Sequence, residues 1–521
     1  MEKIIVKHTS VIINNYEMGD CIRLENNFTV YDKTTHNFYY KGILYIKEEK
    51  KLILPRGIDI AYLENLFGCK AYIDKHHDPY DIIDETRIKY LPRDEVQQEA
   101  LEFMSGNSLR YKTNIGKSQL SLNLNTGKGK TYCSVVNSCI LRMRSAIITS
   151  SIDWLKQWRD CIIEYTDVKP REIYMISGTP TIHRLLTKDI SQYKFILISH
   201  GTIKSYGDTY GWDKVSELFK YMKIGIKYYD EAHLQFDNIC RIDYNTNTYK
   251  TYYITATPVR SNKDENKIFQ LYFKNIPAID LFDSEEDPHT RYVAIKYNSR
   301  PTPMDISKCK NQYGLDRNKY VGSYIIHNEN YYKMVRIILN ILLSKKGKSL
   351  VYIGTNNAIL TTYNWIIEHY PDLEPLIGIY TSIIPDEEKT IRLEKKIILS
   401  TTKSSGTAMD IKDLECTVVL AEPFKSEVLA RQTLGRTRNP NTLYIEVVDV
   451  GFTQINKYYH QKKRVFDKYA TSKSEIFLKQ DELDARANAF KRRTLNTVSQ
   501  TYGIYRRPFV RSEYKSPFIR Y

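Results

Sequence analysis

Residues 124–131 read LNTGKGKT, following a short apolar run and preceding the helix-compatible stretch YCSVVNSCIL. Glycines at 127 and 129 leave a backbone free to close its N–H groups on phosphate oxygens. Lys130 stands where a cation can meet β- and γ-phosphates, and Thr131 offers a hydroxyl to Mg2+. Thr126, Gly127, Lys128, Gly129, Lys130 and Thr131 are therefore the candidate phosphate-binding set. The strict form of such a loop has Gly or Ala where Leu124 stands. Taken alone, the segment also fits a glycine-rich turn with a stray lysine.

A second element narrows the choice. IGIKYYDEAH ends an apolar run with Asp230, Glu231, Ala232 and His233, and Asp230 comes 100 residues after Lys130. Mg2+ on a nucleotide takes few protein ligands and keeps waters, a role that suits Asp230. Glu231 is then placed to orient and activate an attacking water. An acidic strand end that caps the next helix is the plainer alternative, and the preceding glycine loop argues against it.

The surrounding pattern is α/β. Helical segments such as DEVQQEALEFM alternate with the short apolar runs SAIIT, IYMIS, KFILISH, IGIKYYD and TYYITA. Buried parallel strands separated by helices read this way. The rhythm returns in YVAIKY, KSLVYIG, LIGIYT, KIILSTT, CTVVLAE and LYIEVVDV. We expect a small N-terminal α/β domain over 1–88, α/β units over 89–285 and 286–455, and a basic helical extension and tail over 456–521.

Composition sets the partner class. The net charge is +16 and the pI about 9.1, and a basic excess favours polyanions through counterion release. The last 66 residues hold 16 Lys and Arg against 6 Asp and Glu, most of that surplus. In the tail, Tyr502, Tyr505, Phe509, Tyr514 and Phe518 interleave with Arg506, Arg507, Arg511 and Lys515. Aromatic faces stack on bases and guanidinium groups sit at phosphates, so the extension is expected to add nucleic-acid affinity without sequence preference. A tail that packs on the second domain, or takes a protein partner, fits the same residues. Eight scattered cysteines without a C-x-x-C pair suit a reducing compartment. Charged Glu2, Lys3 and Lys7 do not read as a secretory leader. No apolar run approaches the roughly 20 residues that span a bilayer. The expectation is a soluble intracellular protein with no membrane partner.

The order of motifs over about 92–450 resembles helicase superfamily 2, in the manner of the phage UvsW-type, the XPB-type and the poxviral transcript-release helicases. PRDEVQQEAL looks like the segment whose glutamine reads adenine, with Gln97 as the match and Val96 in place of the usual aromatic. IITSSIDWLKQW and LISHGTI resemble the motifs that grip a nucleic-acid backbone, offering Thr149, Ser150, Trp154, Gln157, Ser199 and Thr202; read alone, Trp154 is a core residue. YITATPVR resembles the coupling motif, with Thr255, Ala256 and Thr257, to which His233 is expected to bridge. STTKSSGTAMDI matches with Gly406 and Asp410 at the nucleotide and Thr401 at the nucleic acid. RQTLGRTRN resembles the arginine-finger motif, with Gln432, Gly435 and Arg436 in register. The family's last arginine falls where this chain has Asn439, and Arg438 precedes it, so either arginine is open as the finger.

The resemblance implies tandem RecA-like domains with parallel sheets, ATP bound between them, Mg2+ held by Thr131 and Asp230, and catalysis by Lys130, Asp230, Glu231, Gln432, Arg436 and Arg438. It implies an ATP hydrolase that steps along nucleic acid, with DNA favoured over RNA by the TATP and QTLGRTR forms. A motor that clears RNA or polymerase from DNA, and a nucleic-acid clamp without turnover, remain alternatives. The site of action would be a host cytoplasm if the source is a virus or phage. The N-terminal domain and the tail are the places left for a protein partner.

Overall fold

The computed structural model describes residues 2–32, 37–114, 116–124, 128–255, 263–281, 290–312, 314–405, 411–434 and 442–501. The chain divides into two compact units, Met1–Asp287 with Ser426–Arg436, and Pro288–Lys425 with Thr437–Tyr521.

In the first unit seven parallel strands lie in the order Ile173–Ile176, Phe195–Ser199, Ser145–Thr149, Ile226–Asp230, Lys250–Thr255, Gln119–Leu124, Ala278–Leu281. All the apolar runs read as strands in this region are strands. Alternate residues feed two cores, one on each face. Tyr228, Tyr252, Ile147 and Leu197 point to one side, and Tyr229, Tyr253, Ile148 and Ile198 to the other. Register pairs Tyr228 with Tyr252 and Tyr229 with Tyr253, and both pairs stack, at 5.1 Å and 5.5 Å between centroids.

The small N-terminal sheet has the order Leu44–Ile46, Lys51–Pro55, Ser10–Asn14, Ile4–Val6, Tyr72–Ile73 and is antiparallel except at its last pair. IAYLENLFG forms one helix, Ile60–Phe67. Asp59 caps it by accepting from the Tyr62 N–H, and Gly68 ends it at φ 62°, a left-handed turn that favours glycine. This sheet does not stand apart, because Val11, Leu52, Leu54 and Leu63 share one core with Tyr229, Tyr253 and Tyr272. Polar ties reinforce the layer: the Tyr244 hydroxyl donates to the Gly42 carbonyl at 2.7 Å, and the His8 N–H to Asn247 Oδ1 at 3.0 Å. The polar stretch after it is pinned by Arg144, whose buried guanidinium donates to Asp81 at 2.8 Å and to the carbonyls of Tyr193, Ile190 and Met222.

One polar centre holds that shared core. Asp243 is fully buried and accepts from Lys227 Nζ at 2.7 Å, Tyr229 at 2.7 Å, Tyr272 at 2.6 Å and Tyr253. Tyrosine there supplies the ring that the core needs and a hydroxyl that the carboxylate needs. Burial lowers the Lys227 pKa, and Asp243 opposes that by charge and hydrogen bond.

The second unit repeats the plan with parallel strands Ile377–Tyr380, Ile397–Ser400, Lys348–Ile353, Leu414–Ala421, Thr442–Asp449, Thr290–Tyr297 and Ser472–Phe477. The two sheets with their helices are tandem RecA-like folds. The basic segment is helical over Thr453–Tyr469 and Gln480–Thr501, but between the helices it contributes Ser472–Phe477 as an edge strand. That strand's SKSEIF is polar and mostly exposed, so no apolar alternation marked it; its pairing with Thr290–Tyr297 makes it a strand. The final helix starts packed, with Leu483, Ala487 and Phe490 buried and Asp484 2.8 Å from Lys333. Tail residues 502–521, where the interleaved aromatic and basic side chains lie, fall outside the described residues. Among the described residues no helix is long and apolar enough to cross a membrane.

Candidate active site

Because the strands are parallel, their carboxyl ends share one edge, and such edges are where open α/β sheets bind ligands. Register places Asp230 beside Ile254 and Thr255 beside Asn123, one residue before Leu124. The glycine loop, the acidic pair and the coupling segment therefore leave the sheet side by side. The helix Lys130–Leu141 starts directly from Gly129, whose φ of 91° favours glycine. A side chain there would also meet Gln97 Nε2 at 2.2 Å and push that side chain aside. A helix starting from such a loop presents unpaired N–H groups suited to phosphate.

Lys130 Nζ lies 2.8 Å from Glu231 Oε1, and both side chains are nearly buried. Glu231 sits at φ 49°, left-handed for a residue with a side chain, which costs on the order of 1–3 kcal/mol and gathers at functional sites. Its other oxygen is 3.4 Å from His233 Nδ1. That nitrogen is 2.8 Å from Thr255 Oγ1, and Gln432 Nε2 lies 2.9 Å from His233 Nε2. The imidazole stands between Gln432 at Nε2 and Thr255 and Glu231 at Nδ1. The helix Glu427–Leu434 thus meets the acidic segment through one imidazole.

Asp230 ends its strand with Oδ2 accepting from the Trp158 indole N–H at 2.9 Å. Burial, then the charge of Glu231, pushes its carboxyl up to about 6, while Lys130 and Trp158 pull the other way. Trp158 was absent from the sequence expectations, which singled out Trp154. Trp154 is buried, and Trp158, one turn further along the same helix, is the tryptophan that reaches the site. The second Trp of DWLKQW, at i+4 from the first, was the available signal.

The remaining candidates are placed as follows. Gln97 is buried, its Oε1 accepting from the Arg93 N–H at 2.8 Å and its Nε2 3.4 Å from the Lys128 carbonyl. Thr149 donates to the Ser151 carbonyl at 2.9 Å, and the Ser150 hydroxyl is buried without a partner. Ser199 caps the helix His200–Tyr210 by accepting from the Thr202 N–H, and the two hydroxyls lie 2.9 Å apart. Gln157 is half-buried on the Trp158 helix. Thr401 donates to Ser404 Oγ at 3.0 Å in the second unit. Thr126, Gly127, Ala256, Thr257, Gly406, Asp410, Gly435, Arg436 and Arg438 lie outside the described residues. Among the described residues no group of three or more His, Cys, Asp or Glu side chains forms a metal cage. Nucleotide-bound Mg2+ does not need one, and a hard carboxylate at Asp230 with the Thr131 hydroxyl fits it.

The solved structure of S. cerevisiae Dbp5 bound to RNA and ADP BeF3 matches with a TM-score of 0.51 over 76% of this chain and 93% of that one, at 14% identity. That likeness is one of fold, the tandem RecA-like plan described above. The DEAD-box helicase Mss116 bound to ssRNA and UDP-BeF gives 0.51 over 78% of this chain and 81% of its own, at 13% identity. In sequence the chain is similar to a putative DNA 3'-5' helicase Rad25 of Haloarcula marismortui, 28% identical over 145 residues. That stretch covers 28% of this chain and 21% of the relative, about a fifth of the relative's length. No family model matches.

A carboxylate must be ionised to hold Mg2+. Were Asp230 to hold nucleotide-bound Mg2+, its carboxyl near 6 would weaken that binding as pH falls through about 6, read as a rising half-saturating Mg2+ concentration. The stability sign is opposite: a raised folded-state pKa means ionisation costs the metal-free fold, a cost relieved as pH falls.

Proposed function

We propose that this chain hydrolyses ATP to move along nucleic acid, with DNA as its track. The observation that carries this reading is the Lys130–Glu231 pair beside Asp230 at one edge of the parallel sheet, joined through His233 to Thr255 and Gln432. A purely structural ion pair would not stand beside a second carboxylate at the start of a glycine-initiated helix.

In this reading the N–H groups of the 126–131 loop and Lys130 hold the phosphates. Asp230 and Thr131 hold Mg2+, which when bound neutralises charge on the phosphate oxygens. Glu231 orients the attacking water and takes its proton. Lys130 now neutralises Glu231; once phosphates draw the ammonium away, the carboxylate is released for that work. Gln97 holds the loop and faces the base, with Gly406 and Asp410 also at the nucleotide. Arg436 and Arg438 supply charge to the transition state. Thr149, Ser150, Ser199, Thr202 and Thr401 contact the nucleic-acid backbone, and Ala256, Thr257 and Thr255 transmit nucleotide state. The domain bounds expected from sequence define the working parts. DNA is favoured by the sequence motifs and by the printed name of the Haloarcula relative.

ATP turnover should rise when single-stranded or duplex DNA is added, and more than with RNA of the same length. Glu231→Gln should bind nucleotide while stalling hydrolysis, because Asp230 remains. Arg436→Ala and Arg438→Ala should each lower turnover by on the order of 10³ with less effect on nucleotide affinity. A silent Arg438→Ala would leave Arg436 as the finger. Nucleic-acid binding without turnover in the unaltered protein would instead make the chain a clamp.

A further inference from the structure

Trp158 lies on Ile152–Tyr165, a helix that starts at the strand end proposed to grip nucleic acid. Ser151 caps it by accepting from the Trp154 N–H, directly after Ser150, whose hydroxyl is buried without a partner. Seven residues separate Ser151 from Trp158, about 10 Å of helix at 1.5 Å per residue. Leu155, Trp158 and Ile162 are all buried on one face, in one core with Ile147 and Tyr228, so the indole has no room to turn. Its N–H ends on Asp230 Oδ2 at 2.9 Å. A buried indole N–H needs an acceptor, and here the acceptor is a carboxylate, the strongest kind available.

A second segment converges on the same strand. Ser199 caps the helix whose first residue is His200, and the His200 ring stacks on Tyr229 at 5.8 Å and 14°. Tyr229 is the residue before Asp230.

We propose that Trp158 is a positioning residue for Asp230, and that through its helix occupancy of the Thr149–Ser151 strand end by nucleic acid sets how well Asp230 holds magnesium. This rests on the ATPase reading above. The indole takes one carboxylate oxygen and fixes the side chain's rotamer, so less freedom is lost when the metal arrives. Movement of the helix N-terminus moves the indole as part of the same rigid body.

The test is a magnesium titration of N-methylanthraniloyl-ADP binding, with and without a single-stranded DNA oligonucleotide, on the full chain and on Trp158→Phe, Asp230→Asn and the double variant. Trp158→Phe should raise the half-saturating Mg2+ concentration roughly three- to tenfold, the worth of one immobilised side chain. Magnesium-free nucleotide binding should stay unchanged. DNA should shift the half-saturating concentration in the unaltered protein, and by a factor closer to one in Trp158→Phe, as linkage requires. In the Asp230→Asn background the Trp158 change should add nothing. An unchanged half-saturating concentration in Trp158→Phe, or an equal change in both backgrounds, overturns the inference and leaves the ATPase reading standing. Absence of magnesium-dependent nucleotide binding in the unaltered protein overturns that reading itself, and the inference with it. If Trp158→Phe does not fold, 3-benzothienylalanine at position 158, which keeps the indole shape with sulfur in place of N–H, takes its place in the same series.

Discussion

On the ATPase reading, replacing Lys130 with Ala should remove ATP turnover, by at least about 10²–10³-fold, the scale of losing one preorganised charge donor at a reacting centre. The ammonium has two roles at one spot. Without nucleotide it neutralises Glu231 at 2.8 Å; with nucleotide it meets phosphate. The variant should therefore lose phosphate binding, and it removes the ammonium 2.8 Å from Glu231 and a charge that pulls the Asp230 carboxyl down. Asp230, pushed up by burial and by the charge of Glu231, should then hold its proton to still higher pH, since Lys130 no longer pulls it down. Steady-state hydrolysis with saturating DNA measures the first effect, and a melting curve as a function of pH measures the second. Turnover at the unaltered rate would remove the active-site assignment.

Replacing Asp243 with Ala should destabilise the first unit by about 3–5 kcal/mol, the usual cost of stripping one partner from a buried ion pair. Lys227 and three tyrosine hydroxyls all end on this carboxylate, and every member is fully buried. Its loss leaves an ammonium and up to three hydroxyls to find other partners in a core with few to offer. For a unit of this size the shift in Tm is roughly 5–8 °C. Because the N-terminal sheet shares that core, it should melt together with the first RecA-like fold. Asp243→Asn keeps acceptors at one atom and should lose less. A melting curve for Asp243→Ala that overlays the unaltered one would show that the cluster contributes nothing net.

Much of the fold was legible because parallel strands buried on both faces appear as apolar runs, and helices between them carry their own periodicity. SAIIT, KFILISH and CTVVLAE need no neighbour to be recognised. Ser472–Phe477 had no such signal, since an edge strand with polar faces takes its identity from what it pairs with. The acidic segment and the glycine loop were legible as residue types at a telling spacing. Their meeting was not, because 100 residues separate Lys130 from Asp230 and only the register of three parallel strands brings the segments to one edge.

By itself the sequence determined the class of fold, the phosphate-binding chemistry offered at 126–131, the carboxylates at 230 and 231, and a basic C-terminal segment, since local pattern and charge carry these. Tertiary structure decided the rest. It made Trp158, rather than Trp154, the partner of Asp230, because the helix phase turns one indole to the strand end. It set His233 between Gln432 on one ring nitrogen and Thr255 and Glu231 on the other. It fused the N-terminal sheet to the first RecA-like fold through one shared core, and it placed in that core Asp243, a lone acidic residue in IDYN whose four donors come from Lys227, Tyr229, Tyr253 and Tyr272. Such choices depend on which side chains share a volume, and chain spacing does not encode that without the packing of both sheet faces.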